Sequence, residues 1–254
     1  MNKLREWLKK IAGAEAPRMG FGAPASKAKG PSMGLLVALS SIDKKMAGLA
    51  VEAGAEALVV RAGLASDAEA LRALIQDFRQ CLWGVQLDGG QAPEGNLGFD
   101  FTILSTSSTL SALKGEEQGR LLAVDPSWDD VQLRVLEQLP VDGAVFSLRL
   151  KEETRPAVEH LITVRRLSLL LRKPLFLELG RSLPAEDLEQ LRDGGLSGLL
   201  VPAGAAGWPD VIKELRQNIE ALPPRGKPRR ELDAILPSIP GGRPPKPDEE
   251  EEDE

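Results

Sequence analysis

Short apolar segments that recur along the chain constrain its fold more than any other feature of the 254-residue sequence. Each segment is almost continuously aliphatic, as expected of strands that are buried on both faces of a parallel sheet. Patterns typical of amphipathic helices separate most of them. The eight segments are 34–40, 56–60, 82–87, 99–104, 120–125, 142–147, 174–179 and 197–201. The clear helical patterns are 67–80, 127–139, 154–172, 183–194 and 208–222.

Eight strand–helix units in succession predict a closed α/β barrel, a small (β/α)₈ TIM-like barrel over residues 33–222. The alternative is an open, doubly wound sheet. No GxGxxG follows the first segment, which disfavours a dinucleotide-binding form of that alternative. The third crossover, 88–98, has no helical pattern and is close to the minimum length for a parallel connection, so we expect it to be reduced.

A similar hinge precedes three of the eight segments. It is "GAEALVV" at 54–60, "VDGAVF" at 141–146 and "LSGLLV" at 196–201, and a looser version, "NLGFDFTIL", covers 96–104. In each, a Gly or Pro ends a helix, the chain turns, and an aliphatic strand begins. These hinges lead into the second, fourth, sixth and eighth segments, which indicates turns at the bottom of the barrel and suggests quarter-barrel duplication.

The two ends of the chain differ from its middle. Leu4, Trp7, Leu8 and Ile11 follow the i, i+3, i+4, i+7 pattern and predict an amphipathic helix over 1–13. Two interpretations remain open: this helix caps an open end of the barrel, or residues 1–12 make peripheral contact with an anionic membrane.

Two further segments have the composition of connecting or terminal regions. Residues 14–32 have the composition of a linker. Residues 223–254 are rich in Pro and acidic residues and are expected to form a disordered tail. Within that tail, "ELDAILPSI" at 231–239 is compatible with a turn or a docking motif.

Composition excludes several classes of protein and site. One cysteine, Cys81, and one histidine, His160, rule out an internal disulfide and a metal site built from Cys and His. The net charge is −6, but the last fourteen residues contribute two basic and seven acidic side chains, which leaves −1 for the rest. A nearly neutral body disfavours nucleic-acid binding. The sequence predicts no transmembrane helix and no signal peptide, so a cytoplasmic protein is expected.

Two stretches resemble parts of flavin- and phosphate-binding barrels of the TIM superfamily. They are "AVEAGAEALVVRAG" at 50–63 and "LRDGGLSGLLVPAGAAG" at 191–207, in which a late strand runs into a glycine-rich loop and a helix. The resemblance covers a fraction of the chain and reaches the superfamily, not a specific family. It implies a phosphate-bearing ligand or FMN at the carboxyl-terminal face.

The residues themselves indicate an anion site at the same place. The glycines of "VPAGAAGWPD", 201–210, let backbone N–H groups approach an anion, and the helix that follows adds its dipole. Two arginines at other strand ends would hold the remaining negative charge of the ligand. The alternative is an ordinary βα loop. The predicted ligand-binding residues are Arg61, Arg149, Gly180, Arg181, Ala203, Gly204 and Gly207.

Carboxylates form the second candidate site. Asp88, Asp125 and Glu178 follow the third, fifth and seventh segments, where they could hold Mg²⁺ or divide acid and base roles. The alternative is that Asp88 and Asp125 only form turns, with Ser127 and Asp130 as a capping box.

Three hypotheses about function follow. The first is a barrel that binds a phosphate-bearing small molecule or flavin, with or without catalysis. The second is a catalytically idle barrel that acts as an interaction scaffold. The third is a Mg²⁺-dependent lyase or isomerase that uses the three carboxylates. The sequence fixes neither the reaction nor the oligomeric state.

Overall fold

The eight apolar segments form a closed barrel of parallel strands, and β8 pairs with β1 to complete it. The computed structural model describes residues 2–13, 32–64, 67–87, 89, 97–114, 118–148 and 155–223. The strands are β1 Gly34–Leu39, β2 Ala57–Arg61, β3 Leu82–Gln86, β4 Phe101–Leu104, β5 Gly119–Val124, β6 Gly143–Ser147, β7 Leu175–Glu178 and β8 Leu196–Pro202. The predicted barrel is thus confirmed, and the open doubly wound sheet is wrong.

Seven α-helices accompany the strands in the described part of the chain. The first precedes the barrel, and the other six follow β1, β2, β5, β6, β7 and β8. They are α1 Lys3–Gly13, α2 Lys44–Glu52, α3 Ala68–Asp77, α4 Asp130–Glu137, α5 Val158–Leu171, α6 Ala185–Asp193 and α7 Trp208–Glu220. None of the described helices is long and apolar enough to cross a membrane.

The start of α4 differs from the prediction. Its N-cap is Asp129, whose side chain accepts a hydrogen bond from the Gln132 backbone, while the Gln132 side chain returns one to the Asp129 backbone. The capping box predicted for Ser127 and Asp130 is therefore wrong. The helix begins two residues later than predicted, and an Asp at N-cap with a Gln three residues later pairs the free N–H groups at its amino terminus.

Among the described residues of the crossover from β4 to β5, the helical structure is a short 3₁₀ turn, Leu110–Leu113. The guanidinium of Arg120, on the outer face of β5, is buried and donates hydrogen bonds to the carbonyls of Ala112, Lys114 and Pro140. A buried arginine thus satisfies backbone groups that a full helix would have paired internally. The predicted reduction of the third crossover concerns residues that lie mostly outside the described part of the chain.

The strands divide the core into two apolar layers. Outward side chains pack beneath the helices, and inward side chains fill the barrel, because successive residues of a strand point to opposite faces. Aliphatic residues dominate both layers, as the low aromatic content of 4 % requires. The buried inward residues of the strands are Leu36, Ala57, Val59, Phe101, Ile103, Leu121, Val145, Phe176 and Leu200.

Helix α1 lies in the amino-terminal mouth of the barrel. Leu4 and Leu8 are buried and belong to the interior cluster. Glycines make room for the helix: a Cβ at Gly34 would lie 2.6 Å from Trp7 Cζ2, and one at Gly119 would lie 2.5 Å from Leu4 Cβ. The same apolar stripe that could contact a membrane is therefore covered by the barrel in this structure.

The recurring hinge has a structural role at this mouth. In three of the four hinges, a polar side chain accepts a hydrogen bond from a backbone N–H at the start of the neighbouring odd-numbered strand. The pairs are Asp100 with Trp83 at 2.9 Å, Asp142 with Arg120 at 2.9 Å and Ser197 with Leu175 at 3.3 Å. These three hinges thus join an even-numbered strand to the strand before it.

The acidic residues of the hinges also form ion pairs with basic residues of α1. Lys3 Nζ lies 2.8 Å from Asp100 Oδ1, and Arg5 Nε lies 2.5 Å from Asp142 Oδ1. The remaining hinge, at the start of β2, contributes Glu56, whose side chain accepts a hydrogen bond from the indole N–H of Trp7 at 2.9 Å. Basic residues of α1 therefore meet a partial ring of carboxylates that the barrel turns provide.

The described barrel elements run from Gly34 to Glu220, between the predicted limits of 33 and 222. Most of the predicted linker and nearly all of the predicted tail lie outside the described residues, so these boundaries stay predictions.

Candidate anion site at the carboxyl end of the barrel

The carboxyl ends of the strands meet at the face opposite α1. Strand alternation places several polar side chains inside this mouth, on the same faces as the buried inward residues. Arg61 and Gln86 are register partners on β2 and β3, and Ser147 and Glu178 are register partners on β6 and β7. This face therefore combines charged and polar groups, unlike the apolar interior below it.

The loop after β8 is anchored at one end and open in its middle. Ala203 N–H donates to the carbonyl of Ala38 on β1 at 2.7 Å. The N–H groups of residues 204–207 donate no hydrogen bond to any described residue, and these residues are exposed. Helix α7 begins directly afterwards, with Pro209 in its first turn as expected. Four backbone donors are thus available beside a helix amino terminus.

Two glycines give this loop its shape. Gly204 has φ of +128° and Gly207 has φ of +75°, in the left-handed range that favours glycine. A Cβ at Gly204 would also lie 2.8 Å from Ser40 Oγ, so the loop rests against the end of β1. A side chain at Gly204 would strain the backbone that sets the directions of these N–H groups.

The loop after β7 borders the same corner. Leu179 N–H donates to the carbonyl of Leu200 at 2.9 Å, and a Cβ at Gly180 would lie 3.7 Å from Pro202 Cγ. Arg181 follows, half-buried. The structure thus brings the 180–181 segment beside the end of β8.

Sequence reasoning missed Ser182, in the loop between β7 and α6. Its hydroxyl oxygen is buried and has no hydrogen-bond partner among the described residues. A buried hydroxyl of this kind calls for a partner such as a water molecule or a ligand. In the sequence, "GRSLP" looks like any turn, and no signal in it distinguishes this serine.

The arginines are only partly described. Arg61 is exposed at the end of β2. Strand β2 pairs with β1, and the glycine loop rests against the end of β1. Its neighbour Gln86 was not predicted, because an isolated glutamine in an apolar segment carries no specific signal. Arg149 lies outside the described residues.

The structure describes two of the three predicted carboxylates, Asp125 and Glu178. Asp125 Oδ1 accepts a hydrogen bond from Ser127 N–H at 2.8 Å, as the turn interpretation expects. Glu178 is half-buried on β7, and β6 separates its strand from β5. Asp88 lies outside the described residues, among which no group of three His, Cys, Asp or Glu residues could hold a metal ion. The three-carboxylate site stays a prediction.

Neither the cysteine nor the histidine contributes to this face. Cys81 is buried, and burial, with a smaller contribution from the charge of Glu56, raises the pKa of its thiol to about 11. It is therefore protonated at neutral pH and a poor nucleophile. His160 lies on α5, where its Nδ1 accepts a hydrogen bond from Ala157 N–H at 2.8 Å.

Comparison with known proteins identifies the fold and no family. No family model matches the chain, and no curated protein does. A solved structure from Aquifex aeolicus aligns with a TM-score of 0.59 at 11% identity, covering 86% of this chain and 99% of its own. At such identity the likeness shows the fold alone.

Two further structures share the fold. One is named as an enzyme, and the other was solved with a bound compound. A 3-hexulose-6-phosphate synthase aligns with a TM-score of 0.54 at 16% identity, covering 73% of this chain and 99% of its own. KGPDC from Streptococcus mutans, in complex with D-R5P, aligns with a TM-score of 0.54 at 16% identity, covering 74% of this chain and 97% of its own. These likenesses agree with the predicted barrel fold.

Proposed function

We propose that the barrel binds a phosphate-bearing small molecule at its carboxyl-terminal face. The observation that carries the proposal is the set of four N–H groups at 204–207, which have no partner among the described residues and lead into α7. A helix amino terminus carries a partial positive charge and favours a bound anion. Two glycines with positive φ hold the loop in the conformation that presents these donors.

The position of the loop supports the same conclusion. In (β/α)₈ barrels, phosphate is frequently bound by the loops after strands seven and eight together with a helix amino terminus. Here Gly180 and Arg181 border the 203–207 loop on one side. Arg61 and Arg149 would then contact the remaining charge of the ligand as charge-assisted donors.

Two of the structural neighbours support a phosphate-bearing ligand. One is named for a hexulose phosphate, and the other was solved with D-R5P. None of the three described above carries a flavin in its name, so FMN rests on the resemblance of the sequence stretches alone. A phosphate group is common to both ligand classes, and it is the part of the ligand that the N–H groups of 204–207 would bind.

The test compares ligand binding in wild-type protein, Gly204→Ala and the matched control Gly48→Ala. Gly48 lies in α2, where a Cβ would make only an ordinary 3.8 Å contact with Phe78. Inorganic phosphate and small sugar phosphates, added at millimolar concentration, should raise the melting temperature of the wild type and Gly48→Ala and leave that of Gly204→Ala unchanged. Arg61→Ala should weaken binding by about 1.5–3 kcal/mol, the scale of a hydrogen bond to a charged group.

The alternatives give different results in the same assay. A Mg²⁺-dependent lyase or isomerase would be stabilised by Mg²⁺, and Glu178→Gln or Asp88→Asn would remove that effect while Gly204→Ala would not. A scaffold would respond to neither ligand. Mass spectrometry of small molecules released from the purified protein, including FMN, identifies a resident ligand directly.

A further inference from the structure

Helices α4 and α5 present an unusually apolar outer face. Of the seven large apolar side chains exposed among the described residues, five lie on these two helices: Val131, Val135, Val158, Ile162 and Leu169. Val158 is 73% exposed and Val131 is 71% exposed. A cluster of this kind marks an interaction surface more often than isolated apolar residues do.

A groove of about 490 Å³ lies on this face, which we call the α4–α5 groove. Four of its seven lining residues are leucine or isoleucine, and the other three are two arginines and one aspartate. The lining residues are Asp130, Leu161, Ile162, Arg165, Arg166, Leu169 and Leu170.

The two arginines of the groove differ in their partners. Arg166 pairs with Asp130 and donates to the carbonyls of Pro126 and Trp128 at 3.0 and 2.6 Å. Arg165 is exposed and forms no ion pair with any described residue. The groove is therefore suited to an apolar segment that carries a carboxylate for Arg165.

The chain itself leaves the barrel close to this groove. The buried Arg192, on α6, donates to the carbonyl of Pro223 at 2.5 Å and fixes the point from which the last 31 residues continue. Two residues further along the same helix end, a Cβ at Gly194 would lie 2.8 Å from Leu161 Cδ1. One wall of the groove thus packs against the helix end that holds Pro223.

The sequence beyond Pro223 contains a segment that matches the groove. Leu232, Ile235 and Leu236 are spaced i, i+3, i+4, with Glu231 and Asp233 among them, and Pro237 ends this pattern before Ile239. The eight residues 224–231 span up to about 26–29 Å when extended. Neighbouring helices are about 8–10 Å apart, so this length suffices to pass α6 and reach α5.

We propose that residues 231–239 of this chain occupy the α4–α5 groove. The apolar side chains contact Leu161, Ile162 and Leu169, and the carboxylates of Glu231 or Asp233 pair with Arg165. Because the segment is tethered nearby, docking occurs at high effective concentration and needs only modest intrinsic affinity. The acidic end of the chain then projects from a fixed point on the outside of the barrel.

Binding of a hydrophobic dye such as bis-ANS, together with hydrogen exchange of α5 amides, tests the proposal on the full chain. Removal of 227–254, or Ile235→Asp with Leu236→Asp, should raise dye fluorescence several-fold and speed exchange in α5. Leu110→Asp, at a site 80% exposed and outside the groove, is the control and should change neither. Removal of 241–254 alone should also have no effect.

Exchanging the charges of Arg165 and of its proposed partners Glu231 and Asp233 tests the proposed ion pair most directly. Arg165→Glu should expose the groove to dye, and adding Glu231→Lys and Asp233→Lys should restore the wild-type signal. Equal dye binding and exchange in the full and shortened chains would overturn the proposal. So would a monomer–dimer equilibrium that Ile162→Asp abolishes and removal of 227–254 leaves intact, because the occupant would then be a second copy.

Discussion

The indole of Trp7 stacks on the ring of Phe176, with ring centroids 5.7 Å apart and planes inclined by 11°. Phe176 belongs to β7 and points into the barrel, whereas Trp7 comes from α1. The indole N–H donates to Glu56 Oε2 at 2.9 Å, and Arg216 Nη1 lies 2.6 Å from the other oxygen of that carboxylate. The helix therefore completes the core of the barrel at its amino-terminal end.

Replacing Trp7 by Ala should destabilise the protein by about 2–3 kcal/mol. Fully buried Trp→Ala changes cost about 3–5 kcal/mol, and Trp7 is only half-buried. Chemical denaturation measures the change, and Lys10→Ala on the exposed side of α1 should stay within about 0.5 kcal/mol of wild type. An unchanged midpoint for Trp7→Ala would mean that the helix does not dock in solution.

A variant that retains Trp7 as its single tryptophan reports the environment of the helix directly. Its emission should be blue-shifted without lipid, because the indole is packed on Phe176. A shift that appears only with anionic vesicles and weakens with salt would instead favour the membrane interpretation.

The two carboxylate oxygens of Asp142 have different partners, so substitutions at this residue can distinguish the two interactions of the hinge. One oxygen accepts from Arg120 N–H, and the other pairs with Arg5. Asp142→Ala should cost about 1–3 kcal/mol, because the Arg120 N–H at the start of β5 loses its acceptor. Asp142→Asn keeps an acceptor and loses only the charge, so we expect about 1 kcal/mol or less. Equal costs for the two variants in urea denaturation would contradict this division.

Arg120 should be indispensable for the short fourth crossover. Its three backbone acceptors lie at 2.7–3.4 Å, and Arg120→Met would leave them without this donor, at a cost of about 2–4 kcal/mol. Arg120→Lys should recover little, because an ammonium group cannot reproduce the fork of a guanidinium. Hydrogen exchange should show the loss locally, in the amides of 110–114, and full rescue by lysine would refute the geometry.

Cys81 predicts a specific dependence of stability on pH. The folded protein raises the pKa of the thiol from 9.0 to about 11, so between these values the folded state retains a proton that the unfolded state has lost. The free energy of unfolding should therefore fall as the pH rises from about 9 to about 11. The difference between wild type and Cys81→Ala isolates this effect from lysines that titrate nearby. At pH 8 the native thiol should resist alkylation, and rapid reaction would show that it is exposed.

The order of strands and helices was predictable because it depends on local patterns. Continuous aliphatic runs such as 34–40 have few alternatives to a buried parallel strand, and the spacing between them left room for crossovers. The hinges were visible for the same reason: a break and a turn must precede each strand. Their function was not visible, since Asp142 binds a backbone N–H 22 residues away.

The candidate site was predictable in outline only. The strand-end rule drew attention to the glycine loop at 203–207, whereas Ser182 and Gln86 carry no distinguishing pattern in the chain. What each side chain at the mouth can bind depends on its neighbours across the barrel, and the local sequence does not specify those neighbours.

The sequence alone determined the barrel, because the periodicity of apolar residues fixes which backbone segments become strands and helices, and eight such units close on themselves. It also determined that α1 has an apolar stripe that must be covered. Only the tertiary structure decided what covers it. Docking requires Gly34 and Gly119 to leave space, Phe176 to offer a ring and three hinge carboxylates to meet the polar and basic groups of α1. These groups are distant in the chain and become neighbours only when the barrel closes.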